Sequence, residues 1–584
     1  MLGTGCGGSK SGSSGSGSSG SGSTGSGGSS AGVNVLTYHN DNARTGQNLN
    51  ETILTTANVK SSTFGKIGTV SVTGNVDAEP LYAAGLTVNG ATHNVLFVAT
   101  EQDWLYAFDA DTFARLWSAS VANGETFTGL VDSCQQVEPN IGVTSTPVID
   151  LKAGAHGTIF VVAMTQDSGG NYHQRLHALD ITTGHEQAGS PTEVTASSFD
   201  PKQYKERAGL LLLQGTGNGN GTIYLTWASH CDAEPYQGWV MEYGESTLQQ
   251  TAVLNLTLTG SEGAVWMSNT GMAADSSGNV YLLDANGTFG DGTANPPLTN
   301  GFPASANYGN AFLKLSTANS GLSVADYFTM FNTMAESQVD EDLGSGGAVV
   351  LPDLTDSSGI THHLAVGAGK DRYVYVVNRD AMGKFNANND TAVYQKLNDP
   401  QGNGSGTPVL GGQNYSMPAY FNNIVYFGAA GDSLKAFPIT NALLATQPSS
   451  ESAFTFSFPG CTPSVSANGS ANPPTNGILW CILAGNTGRF YAFDASNLAN
   501  ELYDSTQAGS RDQFADYNGT KFVTPLIANG KVYVGAGSAT GSGSVAVFGL
   551  LTGSSSNRKT SGRSGLFEAS LAHGGGWTNG LSGR

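Results

Sequence analysis

Four cysteines are the first residues whose type and spacing could do chemistry. They are Cys134, Cys231, Cys461 and Cys481, an even number that is compatible with two disulfides in an oxidising compartment. None of them stands in a CxxC pair, so the spacing argues against a zinc site. Buried free thiols are the alternative to disulfides.

Two other patterns imitate binding motifs. The run GTGNGNG (215–221) resembles a phosphate-binding loop, but it leads into a strand and offers no helix N-terminus to a phosphate. The adjacent His362 and His363 point to opposite faces of a strand, so they cannot hold one metal ion together. The chemistry must therefore depend on residues that the fold brings together.

Composition points to many short strands joined by tight turns. The chain has 584 residues, of which 80 are glycine and only 12% are charged, against about 25% charged in an average globular protein. The net charge of -20 repels phosphate backbones and argues against a nucleic-acid partner. No run of 18 apolar residues is present, so we expect no membrane-spanning helix.

An internal repeat indicates the fold class. Eight runs rich in β-branched and aromatic residues recur between turn signals, and a further strand follows each of them. In five repeats a proline opens the preceding strand, where a missing N–H is tolerated. The runs begin at Val95, Thr158, Thr222, Asn279, His363, Ile424, Leu479 and Lys531, and the prolines are Pro80, Pro147, Pro418, Pro463 and Pro525. The pattern predicts an all-β protein, an eight-bladed β-propeller of four-stranded antiparallel blades.

The ends of the repeat region predict how the ring closes. The last repeat ends at Leu551 with three strands, whereas a spare strand from Phe64 to Val72 precedes the first repeat. We expect this N-terminal strand to complete the last blade, within a propeller that spans residues 33–551. Residues 552–584 lack periodicity and are interpreted as a disordered tail.

The first 32 residues are interpreted as a signal remnant and a Ser/Gly tether. Cys6 follows a small-residue run and precedes the Ser/Gly tract, as at the end of a bacterial lipoprotein signal. Cys6 is therefore a candidate lipidation site. A disordered leader with an incidental cysteine is the alternative.

Loops entering each blade and loops between its second and third strands open on one face of a propeller. We expect Glu138, Glu234, Asn286, Asp342 and Lys370 to converge there, although Asp and Asn also serve turns. The same geometry puts Cys134 and Cys231 on that face, where they could form a bridge. Cys461 and Cys481 are predicted on the first and second strands of one blade and could also be bridged.

Two segments resemble the AxDxxTGxxxW docking motif of quinoprotein (PQQ) alcohol dehydrogenase-like propellers. They are AFDADTFARLW (107–117) and ALDITTG (178–184), and residues 38–59 also look like the segment before the first blade of that family. The resemblance extends from Tyr38 to Leu551. It implies the eight-bladed fold and, more weakly, the family's chemistry.

In that family, pyrroloquinoline quinone lies over the propeller axis with a calcium ion held by Glu, Asn and Asp, and an Asp acts as base. The resemblance implies Asn286 as the amide ligand and Asp342, beside Asp340, as base and metal ligand. It places Lys370 against the quinone and Glu234, or Asp232, at the glutamate position. Asn269 aligns with the family's tryptophan platform, and Trp266 lies three residues away. Cys134 stands alone where the family has two adjacent cysteines.

The sequence therefore favours a noncatalytic extracytoplasmic propeller, in the periplasm or on the cell surface, that binds a protein or a small ligand on its loop face. Its role would resemble that of the outer-membrane assembly lipoprotein with this fold, as a monomer tethered by a lipid. The alternative is a PQQ- and calcium-dependent alcohol or sugar dehydrogenase. An unrelated enzyme using the same face is a third reading.

Overall fold

The structure, a computed structural model, describes residues 33–215, 221–317, 321–483, 488–514 and 520–552. Cys6, the Ser/Gly tether and the tail beyond Thr552 lie outside the described residues, so their interpretation stays a prediction. Within the described part of the chain, no helix is long and apolar enough to cross a membrane.

Eight four-stranded antiparallel sheets form the ring, which confirms the predicted propeller. We label the strands of each blade A to D, outwards from the axis. Blades 1 to 4 consist of Leu81–Val88, Ala91–Thr100, Trp104–Asp109 and Arg115–Ser120; Val148–Asp150, Thr158–Gln166, Tyr172–Asp180 and Thr192–Glu193; Leu211–Leu213, Thr222–Thr226, Trp239–Gly244 and Gln250–Asn255; and Ala273–Ala274, Val280–Leu283, Phe312–Ser316 and Ser323–Phe328.

Blades 5 to 8 repeat the same order. They consist of Ala348–Val350, Leu364–Ala368, Val374–Asn378 and Gln395–Lys396; Ala419–Phe421, Ile424–Phe427, Asp432–Thr440 and Ser450–Phe456; Ser464–Asn468, Thr475–Leu483, Arg489–Asp494 and Asn497–Asp504; and Leu526–Ala528, Lys531–Ala536, Ser542–Leu550 and Phe64–Thr73. The last strand D comes from the N-terminal end and pairs antiparallel with Ser542–Leu550, so the predicted closure of the ring is confirmed.

Short elements decorate the loops. The described α-helix is Thr333–Gln338, and single 3-10 turns lie at Pro201–Gln203, Met267–Asn269, Leu343–Ser345 and Gly509–Arg511. Two-residue strands are Gln47–Asn48, Thr126–Phe127, Tyr204–Lys205, Ala228–Ser229, Leu298–Thr299, Phe302–Pro303, Leu354–Thr355, Thr361–His362 and Leu443–Leu444.

The hydrophobic core lies between the faces of adjacent blades. Because both faces of each sheet are covered, strand B reads as a continuous apolar run, as in Thr158–Gln166. Between blades 2 and 3, Phe160 and Leu176 pack in one cluster with Leu225 and Trp239. Each blade therefore depends on its neighbours for burial.

The docking motif acts between blades 1 and 2. The indole nitrogen of Trp117 donates to the carbonyl of Ile181 at 3.0 Å. Its ring covers Gly184, where a Cβ atom would lie 2.6 Å from the indole and where φ is +71°. Glycine is required there both for the positive φ and for the close approach of the ring.

A segment at the N-terminal end circles the axis and contacts every blade. We call Val35–Asn48 the axial belt. It forms hydrogen bonds with strand A of each blade in turn, at 2.6–2.9 Å: Val35 with Tyr82, Leu36 with Ile149, Asn42 with Leu212 and Ala274, Ala43 with Val350, Thr45 with Tyr420, Gly46 with Val465, and Asn48 with Ile527. The belt thereby satisfies inner-strand backbone groups that face the channel.

Arg44 holds the belt together. Its guanidinium is fully buried and donates to the carbonyls of Met272, Tyr38 and Leu210 at 2.7–3.1 Å. Burial lowers its pKa to about 10. Beside it, burial raises the pKa of Glu79 to about 8, and a Glu79 carboxylate oxygen accepts from the backbone N–H of His39 at 2.8 Å.

Candidate functional site

Loops from blades 2 to 5 enclose a small pocket on the face where the sequence predicted it. The lining side chains come from loops before strand A and loops between strands B and C. We call this the loop-face pocket. Its volume is about 120 Å³, and its lining includes Gln136, Lys205, Arg207, Ser229, Asp232, Tyr236, Ala264, Trp266, Ala285, Asn286, Asp340, Asp342 and Lys370.

An ion-paired lysine forms one end of the pocket. The Nζ atom of Lys370 lies 2.5 Å from Oδ1 of Asp340 and 2.5 Å from Oδ1 of Asp342. The other carboxylate oxygen of Asp342 accepts from the indole nitrogen of Trp266 at 2.8 Å. Lys370 also lies 5.4 Å from the centroid of the Trp266 ring. Both oxygens of Asp342 therefore already have partners.

Burial and ion pairing determine the charges of Asp342 and Lys370 at this end of the loop-face pocket. Burial raises the pKa of Asp342, and the charge and hydrogen bond of Lys370 oppose that rise. Burial acts to lower the pKa of Lys370, but the two aspartates outweigh it and raise that pKa. Lys370 therefore stays protonated.

Asn286 lies beside this ion pair. Its amide nitrogen donates to Asp340 at 2.8 Å, whereas its amide oxygen is buried and has no hydrogen-bond partner among the described residues. Asp284, two residues earlier, is fully buried, and burial followed by the charge of Asp342 raises its pKa well above the usual range.

Two further cations form the other end of the pocket. The Nζ atom of Lys205 donates to the carbonyl of Ser229 at 2.5 Å and to the side-chain oxygen of Gln136 at 2.8 Å. The Nε atom of Arg207 donates to the side-chain oxygen of Asn269 at 2.6 Å. The described hydrogen bonds of both cations therefore go to neutral oxygens.

Both cations are buried without a carboxylate hydrogen-bonded to them in the described structure. Lys205 and Arg207 are 1% and 2% exposed, and Nη2 of Arg207 is buried with no acceptor. Burial, followed by the charge of Arg207, lowers the pKa of Lys205 well below its usual range. Burial also lowers the pKa of Arg207 to about 10, while the more remote charges of Asp77 and Glu101 oppose this.

Aromatic side chains border the pocket. We call Trp266, Tyr415, Phe458 and Phe522 the aromatic rim; their neighbouring ring centroids lie 5.2–6.2 Å apart. The Arg207 guanidinium carbon lies 5.0 Å from the centroid of Phe522. Phe458 is 54% exposed. The rim offers an apolar surface next to buried charge.

The structure contains two disulfides. One joins Cys134 to Cys231 and so ties the loop that carries Gln136 to the loop that carries Asp232. The other joins Cys461 to Cys481 beside the aromatic rim. Both pairings match the sequence expectation. The predicted position of Cys461 on strand A is wrong, however, because this residue lies in the loop before Ser464–Asn468.

The structure brings together most of the site residues proposed from the sequence. Trp266, Asn286, Asp340, Asp342 and Lys370 all line the pocket, as does Asp232. Glu138 and Glu234 do not line it. The Glu234 carboxyl instead interacts with Glu262, whose pKa is raised first by burial and then by Glu234. Asn269 holds Arg207 and is not a platform residue.

Sequence reasoning missed the cations Lys205 and Arg207 and the rim residues Tyr415 and Phe522. A signal was present for the cations. In YKERAGLLLL (204–213), three consecutive charged residues stand directly before an apolar strand, in a chain with few charges.

The donor set does not fit a calcium ion. Calcium takes six to eight oxygen ligands, mostly from carboxylates and carbonyls. Of the three implied ligands, Asp342 is paired with Lys370 and Trp266, Glu234 lies outside the pocket lining, and only the Asn286 oxygen is available. Within the described ranges, no group of three His, Cys, Asp or Glu residues suits a metal ion.

The pocket volume does not fit a quinone cofactor. The volume is about 120 Å³, whereas sites for drug-sized ligands and cofactors have about 300–1,000 Å³. Lys205 and Arg207 also add two cations to the pocket in which calcium would have to sit. The pocket therefore fits neither a calcium ion nor a quinone.

Comparison with solved structures shows that the chain shares its eight-bladed propeller fold with quinoprotein alcohol dehydrogenases. It is similar to the quinohemoprotein alcohol dehydrogenase from Comamonas testosteroni, with a TM-score of 0.55 and 12% identity over 90% of this chain and 82% of that chain. It is also similar to quinohemoprotein alcohol dehydrogenase ADHIIG from Pseudomonas putida HK5, with a TM-score of 0.55 and 12% identity over 91% and 82%.

A europium-containing methanol dehydrogenase is a third similar structure, with a TM-score of 0.53 and 13% identity over 89% of this chain and 98% of that chain. No family model matches the sequence, and no curated protein matches it. At these identities the likeness shows the fold alone, and function must be argued from the site.

Proposed function

We propose that this protein is a noncatalytic extracytoplasmic propeller that binds a ligand in its loop-face pocket. The observation that carries the proposal is the pairing of the pocket groups. Lys370, Asp342 and Trp266 are held to one another, whereas Lys205 and Arg207 have no anionic hydrogen-bond partner among the described residues. Such a pocket is organised to recognise a ligand.

The same pairing argues against acid–base catalysis by Asp342. A general base must come within hydrogen-bond reach of the proton that it abstracts. Asp342 is 1% exposed, and each of its oxygens contacts a protein cation or donor. A substrate would have to displace Lys370 or Trp266 before it reached this carboxylate.

Two disulfides support an extracytoplasmic location, because such bonds persist in oxidising compartments. Lipidation of Cys6 would tether the propeller to a membrane surface, in the periplasm or outside the cell. The ligand is a small molecule or an exposed segment of a protein, since the pocket is narrow and the aromatic rim extends it outwards.

A PQQ- and calcium-dependent alcohol or sugar dehydrogenase is the second candidate. Two observations favour it: the fold resembles alcohol dehydrogenases, and Trp266, Asn286, Asp342 and Lys370 meet in one pocket. The misfit of the calcium donors and of the pocket volume counts against it.

Reconstitution separates the two candidates. The purified protein is incubated with PQQ and calcium, desalted, and assayed for quinone absorbance and for dye reduction with primary alcohols. We expect neither stoichiometric quinone nor alcohol-dependent reduction. Retained quinone together with turnover that Asp342→Asn abolishes would establish the dehydrogenase and refute the proposal.

The binding claim has its own test. A thermal-shift screen of small metabolites is run on the natural protein, on Ala285→Leu, which fills the pocket, and on Ala114→Leu, which changes an exposed turn. We expect some metabolites to stabilise the natural protein and Ala114→Leu but not Ala285→Leu. If no stabilising compound depends on the pocket, small-molecule binding there is refuted.

A further inference from the structure

The cations at the inner end of the loop-face pocket have no anion hydrogen-bonded to them among the described residues. Asp232 acts on Lys205, and Asp77 and Glu101 act on Arg207, through their charges. Lys205 and Arg207 are almost fully buried, lie close enough to repel each other, and donate only to neutral oxygens in the described structure. A buried charge without a counter-charge costs several kcal/mol or more unless a partner offsets it. Lys370, at the other end of the pocket, has two aspartates for this purpose.

We infer that Lys205 and Arg207 bind the carboxylate group of a small monoanionic ligand. This inference rests on the proposed function and names the ligand class that the pocket would take. The carboxylate would supply a directly bonded negative charge and accept hydrogen bonds from the guanidinium.

Arg207 is held in position for such a contact. Asn269 accepts from its Nε atom, and the ring of Phe522 lies 5.0 Å from its central carbon. Nη2 is buried and has no acceptor in the described structure. Since buried polar groups in native proteins nearly always have partners, this donor indicates a ligand atom that completes the site. A guanidinium offers paired N–H groups that match a carboxylate.

The state of Lys205 agrees with this assignment. Burial and the charge of Arg207 lower its pKa well below the usual range. An anion placed between the two cations would oppose both effects, so binding would favour the protonated amine.

The remaining lining selects a small monoanion over a dianion. Asp232, Asp340 and Asp342 also line the pocket, and their charges would repel a dianion more strongly than a monoanion. A cavity of about 150 Å³ can hold benzene, so a volume of about 120 Å³ suits an acid of a few carbon atoms. Trp266 and Tyr236 offer apolar surface to its carbon chain.

Isothermal titration calorimetry at pH 7 tests the inference with propionate and butyrate as probes. Propionamide is the neutral control, and sulfate is the dianionic control. We expect saturable millimolar or tighter binding of at least one carboxylate, at least tenfold weaker binding of sulfate, and no detectable binding of propionamide.

Variants identify the site. Arg207→Met should weaken carboxylate binding about 10- to 100-fold, because a hydrogen bond to a charged group contributes about 1.5–3 kcal/mol. Arg207→Lys keeps the charge but loses the paired donors, so we expect intermediate affinity. Arg115→Gln, at an exposed position of blade 1, should bind like the natural protein. Circular dichroism of every variant checks that the fold is intact.

The outcomes separate the two claims. If neither carboxylate binds, or if binding is unchanged in a folded Arg207→Met variant, the inference is overturned. A neutral compound that stabilises the natural protein but not Ala285→Leu would then keep the proposed function and remove only the carboxylate assignment. If no compound depends on the pocket, both fall.

Discussion

Lys205 and Lys396 show how the surroundings of a buried lysine distinguish a binding group from a structural one. Both side chains are almost inaccessible. The Nζ atom of Lys396 lies 2.8 Å from Asp390 and 3.3 Å from Asp399, whereas Lys205 donates to neutral oxygens. In the described structure, one amine has two carboxylates within ion-pair distance, whereas the other is influenced by Asp232 only through its charge.

This contrast predicts opposite effects on stability. Because the pKa of Lys205 is lowered in the folded state, the unfolded chain binds more protons than the folded chain. The stability of the fold therefore rises with pH between the lowered pKa and the ordinary value of 10.5. At pH 7 the amine therefore destabilises the fold. Lys205→Met should unfold at the same urea concentration as the natural protein or at a higher one.

Lys396→Met is the matched control. It should lose about 3–5 kcal/mol of the free energy of unfolding, because it leaves two buried carboxylates unpaired. An equal loss in both variants would contradict the distinction.

Glu79 provides a pH prediction. Its pKa is raised from 4.5 to about 8, so the folded state binds more protons than the unfolded state within that interval. The contribution of Glu79 to stability therefore falls as pH rises from 4.5 to about 8 and is constant above it.

Glu79→Gln keeps the shape and removes this titration. We expect the variant to be about 2–4 kcal/mol more stable than the natural protein at pH 8 and similar to it near pH 4.5. Chemical denaturation across this range gives the difference curve. A difference that does not change with pH would show that Glu79 titrates normally.

At the scale of elements, the disulfide between Cys134 and Cys231 joins two loops that both line the pocket. A bond closing a loop of this length stabilises a fold by about 2–5 kcal/mol. It also fixes the distance between Gln136 and Ser229, which are the two acceptors of Lys205. The bond therefore has a role in the pocket as well as in stability.

The double variant Cys134→Ser/Cys231→Ser should lose about 2–5 kcal/mol and bind the carboxylate probe more weakly. Cys461→Ser/Cys481→Ser is the control, because that bond lies outside the pocket lining and closes a shorter loop. We expect it to bind the probe normally. Titration calorimetry and urea denaturation measure the two effects, and equal losses of binding in both variants would argue against this role.

The elements that the sequence predicted best are those with a local signal. Strand B of each blade is an apolar run between turn residues, so all eight were predicted, and a proline before Leu81 or Ala419 indicated a strand start. The closing strand was predicted from a spare strand before the first repeat and a last repeat with only three strands. Burial of Lys205 was not predicted, because the charged run 205–207 marks an unusual loop but does not show that its side chains are buried. Tyr415 and Phe522 were missed because their loops share no motif.

At the scale of the whole molecule, the axial belt is the feature that no local pattern could indicate. Its contacts are hydrogen bonds to strands far along the chain, such as that between Asn48 and Ile527. Backbone and amide groups make such bonds almost regardless of residue type, so neither periodicity nor composition predicts them. The sequence indicates this segment only through its resemblance to the one that precedes the first blade of quinoprotein propellers.

Arg44 is the residue on which the belt most depends. Arg44→Met would leave the carbonyls of Met272, Tyr38 and Leu210 without this donor, and charge-assisted bonds of this kind contribute about 1.5–3 kcal/mol each. We expect a loss of about 3–5 kcal/mol in urea denaturation. Arg115→Met, at an exposed site, should change stability by less than about 0.5 kcal/mol. Equal stability of both variants would show that the belt is dispensable.

The axial belt also has a consequence for how the molecule can be made and varied. It leaves the ribosome before every one of its partners, yet its last contact, with Ile527, requires blade 8. The channel can therefore be completed only after almost the whole chain has been synthesised. Because each successive part of the belt matches a successive blade, gain or loss of one blade by duplication or deletion would shift every later contact. The belt thus ties the blade number of this protein to eight.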